Sequence, residues 1–315
     1  MKEKTIKIVC LDADTLGFDA DLNEFAKFGE FVSYPKTAAN QTIERLKDAD
    51  VVISNKVLIT DDVMANTNLK LICVSATGVN NIDVEAAKKR GIPVKNVAGY
   101  STNSVAQQAF AGLLMLANNM EYYTSYVSSG EWVKSEIFTN LDRVITELNG
   151  KKFGIIGLGT IGKSVANIAK AFGCDVVYYS TSGKNNNNEF KSVSLDELLT
   201  QCDIISIHAP LNENTKNLIA KPQLDKLKSS TILMNFGRGG IVDETALANA
   251  IDERGIKAVI DVLEKEPMIA NHPFLSVKNR QNLILTPHVA WASKEARQTL
   301  IKMVVKNIEE FINGK

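Results

Sequence analysis

The chain has 315 residues, 45% of them hydrophobic, which is enough to form two compact domains with substantial cores. Its 36 Lys and Arg residues balance its 36 Asp and Glu residues, which argues against nucleic acid or an anionic membrane as a partner. The four cysteines are scattered, which indicates reduced structural thiols and no metal site. The first residues contain an apolar stretch too short for a signal peptide or a membrane span. The scattered cysteines predict a cytoplasmic protein, and the balanced charge predicts a small ligand.

The first hundred residues alternate short apolar strands with helical stretches, a pattern typical of an α/β unit with its own parallel sheet. Strands are predicted at residues 6–11, 31–34, 51–53, 71–74 and 94–97. A long helix over residues 101–127 then connects this unit to the next one.

A glycine turn in the middle of the chain is the strongest motif. Residues 153–180 read FGIIGLGTIGKSVANIAKAFGCDVVYYS, which predicts a strand, a turn, an amphipathic helix and a second strand. In this turn Gly157 allows a tight bend, Gly159 lets a pyrophosphate approach the backbone, and Gly162 lets the helix pack closely on the strand. We interpret the motif as a dinucleotide site, since the helix N-terminus also offers amides and a positive dipole end to phosphates.

The cofactor itself stays open between NAD and NADP. A carboxylate normally follows the second strand and binds the adenosine ribose, but this chain has Ser180 there. Serine cannot repel a 2′-phosphate, while Thr181 and Ser182 could donate hydrogen bonds to it and Lys184 could neutralise it. No arginine is present to bind that phosphate in a bidentate manner, so use of both cofactors is also an alternative.

Further strands are predicted after the glycine turn, at residues 204–207, 232–235, 258–262 and 283–285. Ser194 and Glu197 form a predicted capping box, and Asp243 is a predicted cap for the helix that follows it. The last helix, at residues 293–312, has no local strand to pair with, so we expect it to pack against the first unit.

Polar side chains that follow these strands are the candidates for chemistry, because ligands bind at the carboxyl ends of parallel strands. His288 follows the strand LILT and is the best acid or base candidate. Arg238 lies in NFGRGG, where glycines let a guanidinium enter a crowded site, and Glu266 lies in DVLEKEP. His208, in HAP, could contact the cofactor or be structural.

These motifs together resemble the D-isomer-specific 2-hydroxyacid dehydrogenase family over nearly the whole chain. The segments that carry the resemblance are GLGTIG, HAP, NFGRGG, DVLEKEP and TPHVAWAS. The segments GYSTNSVAQ, VSATGVNNID and HVAWASKEAR are most similar to the glycerate dehydrogenases of that family, also called hydroxypyruvate reductases.

The resemblance implies two doubly wound parallel-sheet α/β domains, with a Rossmann cofactor domain inserted into a flavodoxin-like substrate domain. The boundaries are expected at residues 1–100 and 288–315 for the substrate domain and 101–287 for the cofactor domain. The family also implies an active site in the cleft between the domains, and a homodimer formed through the cofactor domains.

The resemblance further implies a catalytic trio of Arg238, Glu266 and His288, whose physical roles fit hydride transfer. His288 would take the hydroxyl proton on oxidation and protonate the alkoxide on reduction, beside Glu266, which stabilises the imidazolium. Arg238 would bind the substrate carboxylate and polarise the carbonyl. The expected substrates are D-glycerate and hydroxypyruvate, or glycolate and glyoxylate.

Additional contacts are expected around this trio. Besides the three glycines, Ser180, Thr181 and His208, cofactor contacts are expected at Thr160, Ile161, Ala209, Pro210, Phe236, Gly237 and Asp261. Backbone amides of Ala76, Thr77 and Gly78 look suited to hold the second carboxylate oxygen, and Lys56 is a further substrate candidate. Trp291 stands where many relatives have a small residue, so we expect it to narrow the pocket and favour small substrates.

Other functions remain as alternatives at this point. A dehydrogenase of the same family that acts on lactate or on a broad range of 2-oxo acids fits the same residues. A dinucleotide-sensing protein similar to a transcriptional corepressor of this fold, or a methyltransferase, would leave the trio without a joint role.

Overall fold

The computed structural model describes residues 6–184 and 187–314. The chain forms two compact units, one comprising Met1–Ser101 and Ala292–Lys315, the other Thr102–Trp291. The return to the first unit, expected at residue 288, therefore lies at Ala292. The reason is a set of contacts within the second unit, because the amides of Val289 and Ala290 donate hydrogen bonds to the carboxylate of Asp261.

The first unit contains a five-stranded sheet in which each pair of neighbouring strands is parallel. Its strands are β1 (Ile6–Cys10), β2 (Gly29–Ser33), β3 (Val51–Ser54), β4 (Leu71–Val74) and β5 (Val94–Lys95). The spatial order β2-β1-β3-β4-β5 is the flavodoxin-like order. Three α-helices lie between its strands: α1 (Thr42–Leu46), α2 (Asp61–Ala65) and α3 (Val84–Lys89).

The second unit contains a seven-stranded parallel sheet. Its strands are β6 (Lys152–Ile156), β7 (Asp175–Tyr179), β8 (Lys191–Ser192), β9 (Ile204–Ile207), β10 (Ile232–Asn235), β11 (Lys257–Ile260) and β12 (Leu283–Leu285). The order β12-β11-β10-β9-β6-β7-β8 is the Rossmann order with one strand added at an edge. The direction of winding reverses between β6 and β9, where such sheets bind their ligands.

The helices of the second unit begin with α4 (Thr102–Ala117) and α5 (Met120–Ser128). They continue with α6 (Thr160–Ala171), α7 (Leu195–Gln201), α8 (Lys221–Leu224) and α9 (Glu244–Arg254). The last helix of the chain, α10 (Lys294–Ile312), belongs to the first unit and contacts β4, as expected from the sequence.

The single long helix predicted over residues 101–127 is wrong, since the structure has a break between α4 and α5. Asn119 has a φ of 49°, in the left-handed region that asparagine tolerates better than most residues. The side chain of Asn118 also bonds back to the carbonyl of Leu114, and that of Asn119 donates to the carbonyl of Val144. These local bonds compete with the helical ladder and end the helix.

The N-caps predicted at Ser194 and Asp243 are confirmed, but the second half of the predicted capping box is not. Among the described residues the Glu197 carboxylate makes no return bond to the Ser194 amide, and its Oε1 lies 3.6 Å from Nζ of Lys191. The Ser194 side chain accepts a hydrogen bond from the amide of Glu197 at 3.1 Å, and Asp243 accepts one from Ala246 at 2.9 Å. Ser293 caps α10 in the same way, through the amide of Ala296. Each cap satisfies an amide in a first turn, where the helix has no internal acceptor to offer.

All four cysteines are buried and form no disulfide. Burial raises the pKa of the Cys10, Cys73 and Cys202 thiols to about 12, and it also raises the pKa of Cys174. In the part of the chain that the structure describes, no helix is long and apolar enough to span a membrane. No group of three or more metal-ligating side chains occurs among those residues.

Candidate active site

The glycine turn joins β6 to α6 at the point where the winding of the sheet reverses. Gly157 has a φ of 91°, and a Cβ added to it would lie 2.8 Å from the amide nitrogen of Ala209. A Cβ added to Gly162 would lie 2.3 Å from the carbonyl oxygen of Gly157. The turn and the first turn of α6 are therefore packed too closely for any larger residue at these two positions.

Gly159 differs from its two neighbours, because a Cβ added to it would enter open space. Its φ of −81° is also accessible to other residues, so neither packing nor backbone geometry requires glycine here. As the N-cap of α6 it offers no capping side chain, which leaves first-turn amides for an outside acceptor. The turn thus fits a dinucleotide whose pyrophosphate passes over the backbone at Gly159.

Two buried polar atoms on either side of the turn have no hydrogen-bond partner among the residues that the structure describes. They are Oγ of Ser180, directly after β7, and Nδ1 of His208, directly after β9. Buried polar atoms without partners are rare in folded proteins, and they point to a ligand that completes the site. Both strands flank β6, so these atoms also fit a cofactor at the glycine turn.

His208 is held by the residues around it. Its Nε2 lies 2.8 Å from Oγ of Ser206, and its ring stacks on Phe236 with centroids 6.3 Å apart. Burial lowers the pKa of His208 to about 3, so the imidazole is neutral at physiological pH. A Cβ added to Gly237 would lie 2.6 Å from the carbonyl oxygen of Ala209, so the loops after β9 and β10 pack tightly together.

His288 and Glu266 form a close pair at the carboxyl edge of the sheet. Nδ1 of His288 lies 2.7 Å from Oε2 of Glu266, with side chains 26% and 31% exposed. The other carboxylate oxygen, Oε1, accepts a hydrogen bond from the amide of Leu263 at 3.0 Å. Within the described residues, Nε2 of His288 makes no hydrogen bond, so this atom is available to a ligand.

Arg238 is exposed on the loop after β10. The loop is held by Asn235, which accepts from the amide of Gly237 and donates to the carbonyl of Arg238. One guanidinium nitrogen, Nη1, donates to the carbonyl of Gly237 at 2.8 Å. A Cβ added to Gly239 would lie 1.9 Å from the carbonyl carbon of Leu263, so the loops carrying Arg238 and Glu266 are in direct contact.

Asp261, predicted as a cofactor contact, uses both carboxylate oxygens within the protein. Oδ1 accepts from Thr286 Oγ1 at 2.5 Å and from the Val289 amide at 3.0 Å, and Oδ2 accepts from the Ala290 amide at 3.0 Å. The residue is 2% exposed. Asp261 therefore fixes the loop that carries His288, a role that the motif alone did not suggest.

A second buried aspartate, Asp12, acts similarly in the first unit. Its carboxylate accepts hydrogen bonds from the amides of Asn55, Lys56 and Val57, at 3.0, 2.7 and 3.2 Å for the closest oxygens. It thereby holds the loop after β3 that carries the exposed side chain of Lys56. Asp12 was not predicted as a functional residue, although its position directly after a predicted strand was a usable signal.

The remaining first-unit candidates follow β4. Ala76 and Gly78 are half-buried and Thr77 is exposed. The carbonyl of Ala76 accepts from the Val97 amide, and that of Thr77 accepts from the Asn96 side chain. Ser75, which precedes them, is buried with an unpaired Oγ. This makes it the third such atom found directly after a parallel strand in the described residues.

The other predicted residues are distributed around the second unit. Thr160 and Pro210 are exposed, Ile161 and Thr181 are half-buried, and Ala209 is buried. The indole of Trp291 packs against a hydrophobic cluster of the same unit that includes Phe110. The structure thus places the glycine turn, His208 and the Glu266–His288 pair on one parallel sheet.

A Rossmann sheet with a glycine turn at its switch point and a histidine–glutamate pair at its carboxyl edge defines an NAD(P)-dependent oxidoreductase. Residues 110–290 match the model of the D-isomer specific 2-hydroxyacid dehydrogenase, NAD binding domain. The chain belongs to the D-isomer specific 2-hydroxyacid dehydrogenase family, whose members act on CH–OH donors.

Individual relatives support this assignment along the whole chain. The glycerate dehydrogenase of Methylorubrum extorquens is 40% identical over 99% of this chain and 98% of its own length. The hydroxypyruvate reductase of Blautia hydrogenotrophica is 37% identical over 98% of both chains. A D-lactate dehydrogenase from Aquifex aeolicus, solved with NAD and lactic acid, is 25% identical with a TM-score of 0.82 and covers 98% of this chain and 96% of its own.

Proposed function

We propose that this enzyme interconverts D-glycerate and hydroxypyruvate, and that glyoxylate is a second, smaller substrate. The observation that carries the proposal is the 2.7 Å contact between His288 and Glu266 at the carboxyl edge of the cofactor sheet. The similarity along the whole chain to proteins named glycerate dehydrogenase and hydroxypyruvate reductase supports this choice of substrate.

His288 is the proton donor and acceptor in this proposal. Because Nδ1 is engaged with Glu266, Nε2 is the atom that exchanges the proton with the substrate. On reduction the imidazolium donates its Nε2 proton to the developing alkoxide, and on oxidation the neutral ring accepts the hydroxyl proton. Glu266 stabilises the imidazolium, and the Leu263 amide keeps the carboxylate oriented towards the ring. The nicotinamide, when bound, supplies or accepts the hydride.

Arg238 is proposed to bind the substrate. Its guanidinium has five N–H donors, and one of them is used by the Gly237 carbonyl. The others can bind the carboxylate and polarise the 2-oxo group by charge-assisted hydrogen bonds. We further propose that Ala76, Thr77 and Gly78 bind the carboxylate through backbone amides, that Lys56 adds a positive charge, and that Trp291 limits the substrate to small acids.

The cofactor residues proposed for this activity surround the glycine turn. Gly159 and the first-turn amides of α6 bind the pyrophosphate. Ser180 Oγ and His208 Nδ1, which have no partner in the described part of the chain, contact the cofactor. Asp261 is proposed primarily as the residue that positions the His288 loop. Its two carboxylate oxygens are already engaged, so any contact with the cofactor would be secondary.

A second copy of this chain is the proposed partner. Between α5 and β6, seven large apolar side chains are well exposed: Trp132, Val133, Ile137, Phe138, Leu141, Val144 and Ile145. The same unit has an open apolar groove of about 460 Å³ between α4 and α6, lined by Ala106, Phe110, Leu114 and Ile168 among others. These two exposed apolar surfaces favour an isologous dimer. In such a dimer the exposed apolar segment of each copy covers the α4–α6 groove of the other copy.

The catalytic proposal is tested by oxidation of NADH and NADPH with hydroxypyruvate, glyoxylate, pyruvate and a branched 2-oxo acid. We expect the highest kcat/KM with hydroxypyruvate and a loss of about 10²- to 10⁴-fold in kcat in His288→Ala. His272→Ala is the matched control, because His272 lies in the same unit and pairs with Glu244. A protein that is inactive with all four acids, while still binding cofactor, would support a sensor and not an enzyme acting on these acids.

A further inference from the structure

The segment directly after β7 reads Ser180-Thr181-Ser182-Gly183-Lys184. In a Rossmann sheet this position faces the adenosine ribose, where a carboxylate accepts hydrogen bonds from both hydroxyls of NADH. Ser180 offers one neutral oxygen in place of that carboxylate, and among the described residues its solvent-shielded Oγ has no hydrogen-bond partner. A buried hydroxyl in that state indicates that a group from outside the chain completes its hydrogen bonding.

The segment folds into a turn that gathers its hydroxyl groups. The amide of Gly183 donates to the carbonyl of Ser180 at 3.3 Å, and Gly183 has a φ of 66°. The amide of Lys184 donates to Oγ of Ser182 at 3.2 Å. Three hydroxyl side chains and one lysine therefore lie within five residues at the end of β7.

The local charge is positive. Within the described residues, no carboxylate forms an ion pair with the exposed side chain of Lys184. The next acidic residue along the chain is Glu189, whose carboxylate lies 2.8 Å from Nζ of Lys163 in the first turns of α6. Because Glu189 is engaged by Lys163, it does not neutralise the Lys184 ammonium.

We propose that Ser180–Lys184 binds the adenosine 2′-phosphate of NADPH and that the enzyme prefers NADPH to NADH. The hydroxyls of Ser180, Thr181 and Ser182 donate to phosphate oxygens, and the Lys184 ammonium offsets part of the phosphate charge. The ribose hydroxyls of NADH would meet no carboxylate here. NADH also lacks the 2′-phosphate that the lysine would bind. The inference deepens the proposed function, since it concerns the cofactor of the same site.

The test measures binding of cofactor fragments and so does not depend on turnover. The full-length chain is titrated by calorimetry with 2′,5′-ADP and with 5′-AMP, which differ in the 2′-phosphate. We expect 2′,5′-ADP to bind at least about tenfold more tightly, with a preference that shrinks as salt rises. Equal binding of the two fragments, or tighter binding of 5′-AMP, would overturn the proposal.

Two variants and one control locate the effect. Lys184→Ala is expected to reduce the preference several-fold, whereas Lys170→Ala, an exposed lysine in the last turn of α6, leaves it unchanged. Ser180→Asp is expected to reverse the preference, because a carboxylate repels the phosphate and binds the ribose hydroxyls. An unchanged preference in Lys184→Ala would contradict the proposed segment.

The two proposals fail separately in these experiments. A protein that prefers 2′,5′-ADP but reduces no 2-oxo acid would keep this inference and refute the proposed function. A protein that reduces hydroxypyruvate but binds 5′-AMP as tightly as 2′,5′-ADP would support the proposed function and refute this inference.

Discussion

The amide of His288 donates a hydrogen bond to the backbone carbonyl of Asp261 at 2.8 Å, while the Asp261 carboxylate binds the two amides that follow. His288 has a φ of 54°, a left-handed conformation that costs a non-glycine residue of order 1 kcal/mol or more. The aspartate therefore holds the proposed acid or base in a geometry that it would not adopt alone.

Asp261→Asn should consequently lower kcat by at least about tenfold, since misplacement of a catalytic group has large effects on rate. The amide cannot accept all three hydrogen bonds, and we expect the free energy of unfolding to fall by about 2–3 kcal/mol. Steady-state kinetics and cofactor titration separate the roles: a positioning residue changes kcat and leaves the cofactor Kd nearly unchanged.

The matched control for this change is Asp252→Asn. Asp252 also binds two backbone amides, those of Lys278 and Asn279, on the loop that leads into β12. This substitution should reduce stability without reducing kcat in the folded protein. Equal kcat values for the two variants would show that Asp261 does not position His288.

The glycine turn offers a second test, because Gly159 and Gly162 differ in what surrounds them. Gly162→Ala places a methyl group against the Gly157 carbonyl, and we expect a loss of about 1–3 kcal/mol in the free energy of unfolding. Gly159→Ala places its methyl group in open space, so stability should change by less than about 1 kcal/mol. Binding of NADH and NADPH should nevertheless weaken in Gly159→Ala, as fluorescence titration would show. Unimpaired binding would mean that the cofactor does not pass over Gly159.

Most strands of the two sheets could be predicted from the sequence. Each apolar run predicted as a strand forms one within a few residues, because parallel strands buried on both faces are continuous apolar segments. The two-residue strand β8 has no such run, with Lys191 and Ser192 both exposed, and it was missed. The break at Asn119 was missed because it depends partly on a contact with Val144, 25 residues away.

The candidate site likewise contains residues that the sequence could reveal and contacts that it could not. His288, Glu266 and Arg238 could be predicted as candidates because each follows a strand end of one sheet, which a linear motif can reveal. The anchoring roles of Asp12 and Asp261 depend on hydrogen bonds to residues 43 and 28 positions away. The position of Asp12 directly after a strand could have marked it as a candidate, but the partners of both carboxylates are distant in sequence and were identified only from the three-dimensional structure.

His208 should make the protein less stable in acid. The unfolded histidine has a pKa near 6.5, whereas burial lowers the pKa of the folded residue to about 3. Between these two pKa values the unfolded state binds one more proton at this histidine than the folded state does. The free energy of unfolding therefore falls as the pH falls, by at most about 1.4 kcal/mol per pH unit. Urea unfolding at pH 7 and pH 5 should show that His208→Gln loses less stability than the wild type over this range, by about 2 kcal/mol. Equal losses would show that His208 is not held neutral by burial.

The exposed apolar segment between α5 and β6 provides the test of self-association. Val133 and Phe138 are 90% and 89% exposed. Single exposed apolar side chains are common on protein surfaces, but a cluster of seven in fourteen residues is unusual. If this cluster covers the α4–α6 groove of a second copy, Phe138→Asp should convert the dimer to a monomer, because burial of an unpaired carboxylate costs several kcal/mol. Sedimentation velocity would measure this change. Phe18→Asp is the control, since Phe18 is equally exposed but lies alone in the first unit. A wild-type protein that sediments as a monomer at micromolar concentration would contradict the proposed dimer, and a Phe138→Asp protein that remains dimeric would place the interface elsewhere.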